Sequence, residues 1–533
     1  MRKPMQGMVL VVLVGIASVC GQRAAIAATN LQGIPPGYQY RLAKIPSFDG
    51  TLLAANVYTP NSAVYPGKRP TVIMPSSWAM SEWEYCIKAL GLANAGYVAV
   101  SYAPRGFGGS GGMVDVAGPK SQKDVSSVID WLAANTMADG KNVGIVGISY
   151  GAGLGLLTAG RDPRVKAVVA LSGWTDLYQS LYAQETVRAL WLNVIIRSGQ
   201  LAGRLDPEVL VQVDNLKHQT NTDEVKAWGA ERSAVSLIDQ INERQVPIFI
   251  ANSYEDNLFP PAQARPFFSQ LSGPKKFYLD RGIHGSSAIP GLLGIHNDVW
   301  RQGRRWLDQW LAGIDTGILQ EEPVTFQTAT GPVYFRDFPP LGEAQFPFPL
   351  QPINALSTST DPTAPPHSVI SFLAGVDSGA TSGVPILSEV GRGVFNLPTR
   401  SLLSHIDRRF AAAYQTTKFD RNLKMRGATR VHVPIEPHDG PFQLVAYLYE
   451  VDDWGVATLI TYGVASRHTS ASEVTEIDLE LGITSYDLTA GHHLAVALDT
   501  IDPLYQAPAV FPYTLAVSHS SSAKVTLDLP LVM

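Results

Sequence analysis

The chain has 533 residues, 45% of them hydrophobic and 16% charged, with a formal net charge of −5. It is too long for one ordinary core and too apolar for a disordered chain, so two or three packed domains are expected. The acidic balance offers no basic surface for nucleic acid, which excludes that class of partner.

In chain order, the first feature is an export signal. Arg2 and Lys3 precede the apolar run at residues 8–19 (MVLVVLVGIASV), and small residues with Ala-x-Ala spacing follow at 25–27. Twelve apolar residues are too few to span the roughly 30 Å of a bilayer as a helix. Residues 1–27 are therefore read as a signal peptide, and no membrane contact is expected once it is removed. Its removal takes Cys20 and leaves Cys86, so no internal disulfide is expected and stability must come from packed cores.

Strands and helices then alternate. Residues 48–53 (FDGTLL) set Asp49-Gly50 between extended runs, a hairpin signal. Residues 71–75 and 97–102 are short, β-branched and apolar on both faces, as buried parallel strands require, and 143–148, 165–173, 246–252 and 275–282 continue the strand series. Between them, Val125, Val128, Ile129 and Leu132 fall at i, i+3, i+4 and i+7 and predict a helix. The pattern predicts a parallel α/β sheet formed by residues 28–175 and 246–330. Residues 176–245 hold helical stretches but no convincing strand. They are too many for a loop and are read as a helical cap. A further helix is predicted over 297–313. From about residue 345 to 533 long helical patterns give way to short strands, including 442–450, 455–464, 474–481, 493–499 and 523–532. That region is expected to be an all-β sandwich of the jelly-roll kind.

One stretch of the α/β region carries chemistry. Residues 147–151 (GISYG) match G-x-S-x-G where the pattern has physical meaning, after the strand VGIVGI and before the helical run AGLGLLTAG. A turn this sharp strains the serine and leaves no room for side chains two residues either side. Ser149 is thus the candidate nucleophile, and it needs a base that is itself oriented by an acid. In an α/β-hydrolase the order is Ser, acid, His. Residues 252–261 supply Glu255 and Asp256 after one strand, and residues 280–287 supply His284 after the next. Asp256 and His284 are the preferred partners. Glu255 and Asp176 remain alternatives for the acid, and His296 for the base. The Tyr150 backbone N–H is the first expected oxyanion donor, with a second from Ser76, Ser77 or Trp78 in the loop after TVIMP. Trp78 and Trp174 are candidate pocket walls. The glycine-rich stretch 105–112 lacks the G-K-[ST] ending of a phosphate loop. It is read as a tight loop with Arg105 in an ion pair.

Together, R-G-x-G-x-S-x-G at 105–112, the elbow at 147–151, the Asp256 and His284 segments, the WLDQWLAG helix and the β-rich half resemble one family of serine hydrolases. Its members include cocaine esterase, X-prolyl dipeptidyl-peptidase, α-amino-acid ester hydrolases and glutaryl cephalosporin acylase. The resemblance implies an α/β-hydrolase core flanked by a helical cap and a jelly roll, with acyl transfer through a covalent serine ester. It implies Ser149 as nucleophile, His284 as base and Asp256 as its partner. Two departures stand out. Many members donate to the oxyanion from a tyrosine hydroxyl in the loop that here reads Pro75-Ser76-Ser77-Trp78, and the nearest tyrosine is Tyr85. The amino-acid ester hydrolases place ammonium-binding acids where Asn257, Leu258 and Phe259 stand here. That favours an uncharged or anionic acyl group.

The resulting expectation is an exported serine hydrolase acting on a small-molecule ester or amide, with no metal or organic cofactor. An exopeptidase or acylase is the alternative within enzymes. A carbohydrate- or surface-binding protein built around the jelly roll is the alternative outside them.

Overall fold

The computed structural model describes residues 37–337, 345–354, 357–358, 368–509, 512–520 and 523–532, so the signal-peptide reading lies outside the described residues. Its N-terminal half is a ten-stranded sheet in the order β1-β2-β4-β3-β5-β6-β7-β8-β9-β10. Strands β1 (Tyr38–Pro46) and β2 (Leu52–Pro60) form the hairpin around Asp49-Gly50. The parallel body consists of β3 (Arg69–Pro75), β4 (Val98–Tyr102), β5 (Ala138–Ile148), β6 (Val165–Leu171), β7 (Ile248–Ser253), β8 (Lys275–Asp280) and β9 (Val324–Thr328). Strand β10 (Gly331–Phe335) closes it antiparallel to β9, so this sheet runs past residue 330.

Both faces are covered, because period-2 apolar strands expose a buried side in each direction. Helices α1 (Cys86–Asn94) and α11 (Asp298–Leu311) pack on the face that carries Val72, Met74, Val146 and Val169. Helices α2 (Pro119–Asn135), α3 (Tyr150–Arg161) and α9 (Ala264–Gln270) cover Ile73, Ile145 and Val168. Val125, Val128, Ile129 and Leu132 of α2 are all buried there, in the stripe their spacing predicts. Between β6 and β7 lie α4 (Leu177–Leu181), α5 (Ala189–Ala202), α6 (Pro207–His218), α7 (Thr222–Glu231) and α8 (Ile238–Glu243). The short helix α10 (Ile289–Leu292) follows β8.

The glycine-rich loop after β4 is held by charge. Arg105, 2% exposed, donates from Nε and Nη2 to Asp124 of α2 at 2.7 and 2.6 Å and from Nη1 to Asp49 in the β1–β2 turn at 3.0 Å. Asp124→Ala leaves that guanidinium buried with one half-exposed partner. The substitution is expected to cost about 3–5 kcal/mol, read as a lower urea midpoint.

The C-terminal half is a β-sandwich in which every described strand pair is antiparallel. Its inner core joins Val431, Val433, Leu444, Leu448, Val496, Leu498 and Leu527. The strand Phe442–Val451 is buried along its whole length. Its second face, with Val445, Tyr447 and Tyr449, packs in a separate cluster that includes Leu504 and reaches Leu190 of the cap. A nine-residue helix, α12 (Leu387–Phe395), interrupts the strands. It is absent from the sequence reading because it is shorter than the periodicity needed to identify it.

Candidate active site

Ser149 sits between β5 and α3 with φ 55° and ψ −114°, a conformation that costs a non-glycine residue strain. Its neighbours make the turn possible. A Cβ on Gly147 would lie 2.2 Å from the Gly151 carbonyl carbon, and one on Gly151 would lie 2.1 Å from the Pro75 carbonyl oxygen. The Ser149 N–H donates to Leu171 O at 2.8 Å, tying the turn to the neighbouring strand β6.

Asp256 and His284 arrive on the loops after β7 and β8. Ser149 Oγ lies 2.9 Å from His284 Nε2, and His284 Nδ1 lies 2.9 Å from Asp256 Oδ2. Asp256 is 1% exposed, and its other oxygen accepts the N–H groups of Leu258 and Phe259 at 3.1 and 2.8 Å. In this geometry Nδ1 faces the carboxylate and Nε2 faces the serine hydroxyl. The Phe259 ring meets the imidazole edge-on at 5.3 Å, and Trp191 of α5 stands 6.5 Å away. The competing candidates are elsewhere. Asp176 caps α4 by accepting the Gln179 N–H, His296 is exposed, and Glu255 pairs with Arg392 of α12 at 2.9 Å. Glu255 is therefore engaged in an ion pair with the C-terminal half rather than with His284.

The oxyanion expectation needs correction at Ser76 and Ser77. The Ser76 N–H donates to Tyr102 O, and its hydroxyl faces Met80 O. Ser77 donates its N–H and hydroxyl to Glu84 at 2.6 and 2.7 Å. Neither serine has an N–H left for a substrate. Burial pushes the Glu84 carboxyl up to about 7, partly offset by the two Ser77 hydrogen bonds. The adjacent Tyr85 does not face a substrate either, because its oxygen accepts the Ile148 N–H at 2.8 Å. Glu84 and Tyr85 thus brace the two segments that meet at the elbow. The N–H groups of Trp78, next in the loop, and of Tyr150, the first residue of α3, are among those without an acceptor in the described residues. The Trp78 and Tyr150 rings pack 5.5 Å apart, which keeps loop and helix together.

Trp174 is 2% exposed, lies 5.0 Å from Phe259 and donates Nε1–H to Arg232 O. It fills the space between elbow helix and acid loop. Trp78 is half-buried and donates to Ile195 O of α5. Trp191 and Phe259, which do flank the histidine, carry no local signal that separates them from core aromatics. A cleft of about 730 Å³ opens behind the acid and histidine loops, between core and sandwich, lined by Glu255, Gly282, Arg392 and Arg426 but not by Ser149.

A strand-turn-helix serine, a buried acid and an imidazole at successive strand ends define a serine hydrolase with an α/β-hydrolase core and a β-sandwich. Residues 49–286 match the model of the X-Pro dipeptidyl-peptidase (S15) family, and residues 318–528 match its C-terminal non-catalytic domain. The chain belongs to this family. Among curated relatives, a thiohydrolase of Arthrinium phaeospermum is 33% identical over 128 residues, 24% of this chain and 40% of that protein. A protein of Bacillus anthracis described as an Xaa-Pro dipeptidyl-peptidase is 24% identical over 278 residues, 45% of this chain and 44% of its own. The chain thus spans less than half the length of these relatives. Among solved structures, a CocE/NonD family hydrolase from Staphylococcus aureus superposes with a TM-score of 0.68 at 14% identity, covering 95% of this chain and 98% of that one. An α-amino acid ester hydrolase does so at 0.67 and 15%, covering 95% and 99%.

Proposed function

We propose that the protein is an exported hydrolase of carboxylic esters working through a Ser149–His284–Asp256 triad. The supporting observation is the pair of 2.9 Å contacts that joins Ser149 Oγ to His284 and His284 to a buried carboxylate. In this reading His284 Nε2 takes the Ser149 proton as Oγ attacks the substrate carbonyl carbon, and Asp256 steadies the imidazolium. The Tyr150 and Trp78 N–H groups receive the developing oxyanion. Collapse of the tetrahedral intermediate breaks the bond to the leaving alkoxide, which collects the proton from His284. Water, deprotonated by the same nitrogen, then attacks the acyl carbon, the C–Oγ bond breaks as His284 returns the proton to Ser149 Oγ, and the acid leaves.

A second reading follows the family's name: removal of X-Pro dipeptides. It requires recognition of a substrate ammonium, and the segment after Asp256 offers Asn257, Leu258 and Phe259. Glu255, the acid adjacent in sequence, is engaged by Arg392. Esters are therefore the preferred class. The test combines a fluorophosphonate probe, mapped by peptide mass, with matched p-nitrophenyl esters and X-Pro p-nitroanilides. The expected result is one label per chain on Ser149 and a kcat/KM for esters at least about 100-fold above that for the anilides. Fast release of p-nitroaniline from X-Pro substrates would favour the peptidase reading. Absence of label with turnover intact would remove Ser149 from the chemistry.

A further inference from the structure

Beside the acid loop stands a cation that no carboxylate among the described residues neutralises. Arg188 is the N-cap residue of α5, three positions before Trp191. Trp191 stands 6.5 Å from the His284 ring. Arg188 Nη1 points at Asn257 O at 3.5 Å, one residue beyond the triad acid. Its guanidinium carbon lies 5.7 Å above the Tyr505 ring, and its Nε is buried without an acceptor. Among the described residues no Asp or Glu oxygen pairs with it. The acids nearby have other donors. Glu255 holds Arg392, and Asp502 accepts Ser382 Oγ at 2.7 Å and Tyr447 OH at 2.8 Å, whereas Glu389 faces Tyr462 OH through Oε1 at 3.4 Å and keeps Oε2 buried without a donor.

We propose that Arg188 receives a carboxylate of the substrate, so that the preferred esters are those carrying a negative charge. This rests on the triad reading above. A guanidinium keeps its charge at every working pH and presents five donors in a planar fork that matches a carboxylate. Half-buried with only neutral partners, it gains from an arriving carboxylate the counter-charge that the described residues do not supply. Trp191 and Phe259 keep apolar surface around the imidazole, which strengthens the attraction by excluding water. The same charge repels a substrate ammonium, which sets this site against dipeptide N-termini. The carboxylate belongs either to the acyl chain or to the leaving alcohol.

The experiment separates those two sources. The acyl arm compares mono-p-nitrophenyl adipate and suberate with their methyl esters. The leaving-group arm compares 4-butyryloxybenzoate with its methyl ester. Each is measured on wild type, Arg188→Gln and Arg188→Lys. In one arm, wild type is expected to favour the carboxylate by at least about 10-fold in kcat/KM, mainly through KM. A charge-assisted bidentate contact has the strength for Arg188→Gln to lower that rate about 30-fold. Its rate on the methyl ester should stay within about 3-fold of wild type, and Arg188→Lys should keep part of the preference. Equal rates on acid and methyl ester for wild type in both arms would overturn the proposal and leave the triad standing. So would an equal fall on both in Arg188→Gln together with Arg188→Lys. If no ester were hydrolysed and no fluorophosphonate bound, the triad reading would fall and this proposal with it.

Discussion

Ser149→Ala is expected to lower kcat for a p-nitrophenyl ester by roughly 10⁵–10⁶-fold, because serine and histidine of such a unit act together and losing one forfeits most of the set. The geometry predicts what survives. His284 keeps its 2.9 Å contact with Asp256, and the Trp78 and Tyr150 N–H groups are untouched. A residual rate of about 10³–10⁴ over water is therefore expected from the oxyanion donors and binding alone. The fold should be unaffected. Ser149 owes its position to its main chain, whose N–H bonds Leu171 O and whose carbonyl accepts the Ala152 and Gly153 N–H groups. Steady-state kinetics with a thermal melt checks both halves. A variant that melts like wild type and still turns over at more than about a hundredth of its rate would place the nucleophile elsewhere.

Gly151→Ala is expected to be severely destabilising. The new Cβ would sit 2.1 Å from the Pro75 carbonyl oxygen, closer than any unstrained contact. Neither side can yield cheaply. Pro75 ends β3, which is paired on both edges to β4 and β5, and Gly151 opens a helix whose residues 150–160 are all buried. Relief requires moving helix against sheet, so a loss of more than about 4 kcal/mol is expected, or failure to accumulate as folded protein. Gly91→Ala is the control. Gly91 is exposed in α1 with nothing within 4 Å of an added Cβ, so helix propensity alone acts and a gain of up to about 1 kcal/mol is expected. Urea or thermal unfolding of the pair distinguishes a steric clash at the elbow from a general cost of added methyls.

The elbow and the segments carrying Asp256 and His284 were legible because they are local patterns. A strand end, a glycine-flanked serine and a helix start are contiguous, and the two partners follow the next core strands in order. The parallel strands were legible because burial on both faces leaves unbroken apolar runs. What was hidden depends on which donor meets which acceptor once the chain is folded. Ser76 and Ser77 carry suitable donors, but whether a donor is free depends on Glu84 and on the Tyr102 carbonyl, which the fold alone brings to them. Asp176 resembles a triad acid until its oxygen is seen capping α4. Glu255 looks solvated until α12 supplies Arg392 from 137 residues away. Arg188 is one arginine among many in composition, and only the packing of α5 against the acid loop singles it out.

The sandwich does more than follow the α/β unit along the chain. Helix α12 lays Gly393 so close to Gly282 that an added Cβ would stand 2.8 Å from its carbonyl carbon, two residues before His284, while Arg392 clasps Glu255 and Tyr462 receives the Asn257 side chain. The acid and histidine loops are thus shaped from both halves of the chain. Such a hydrolase is inherited as a pair: exchanging its sandwich for that of a distant relative, or trimming it away to obtain a smaller catalyst, removes part of the mould in which the acid and histidine loops are cast.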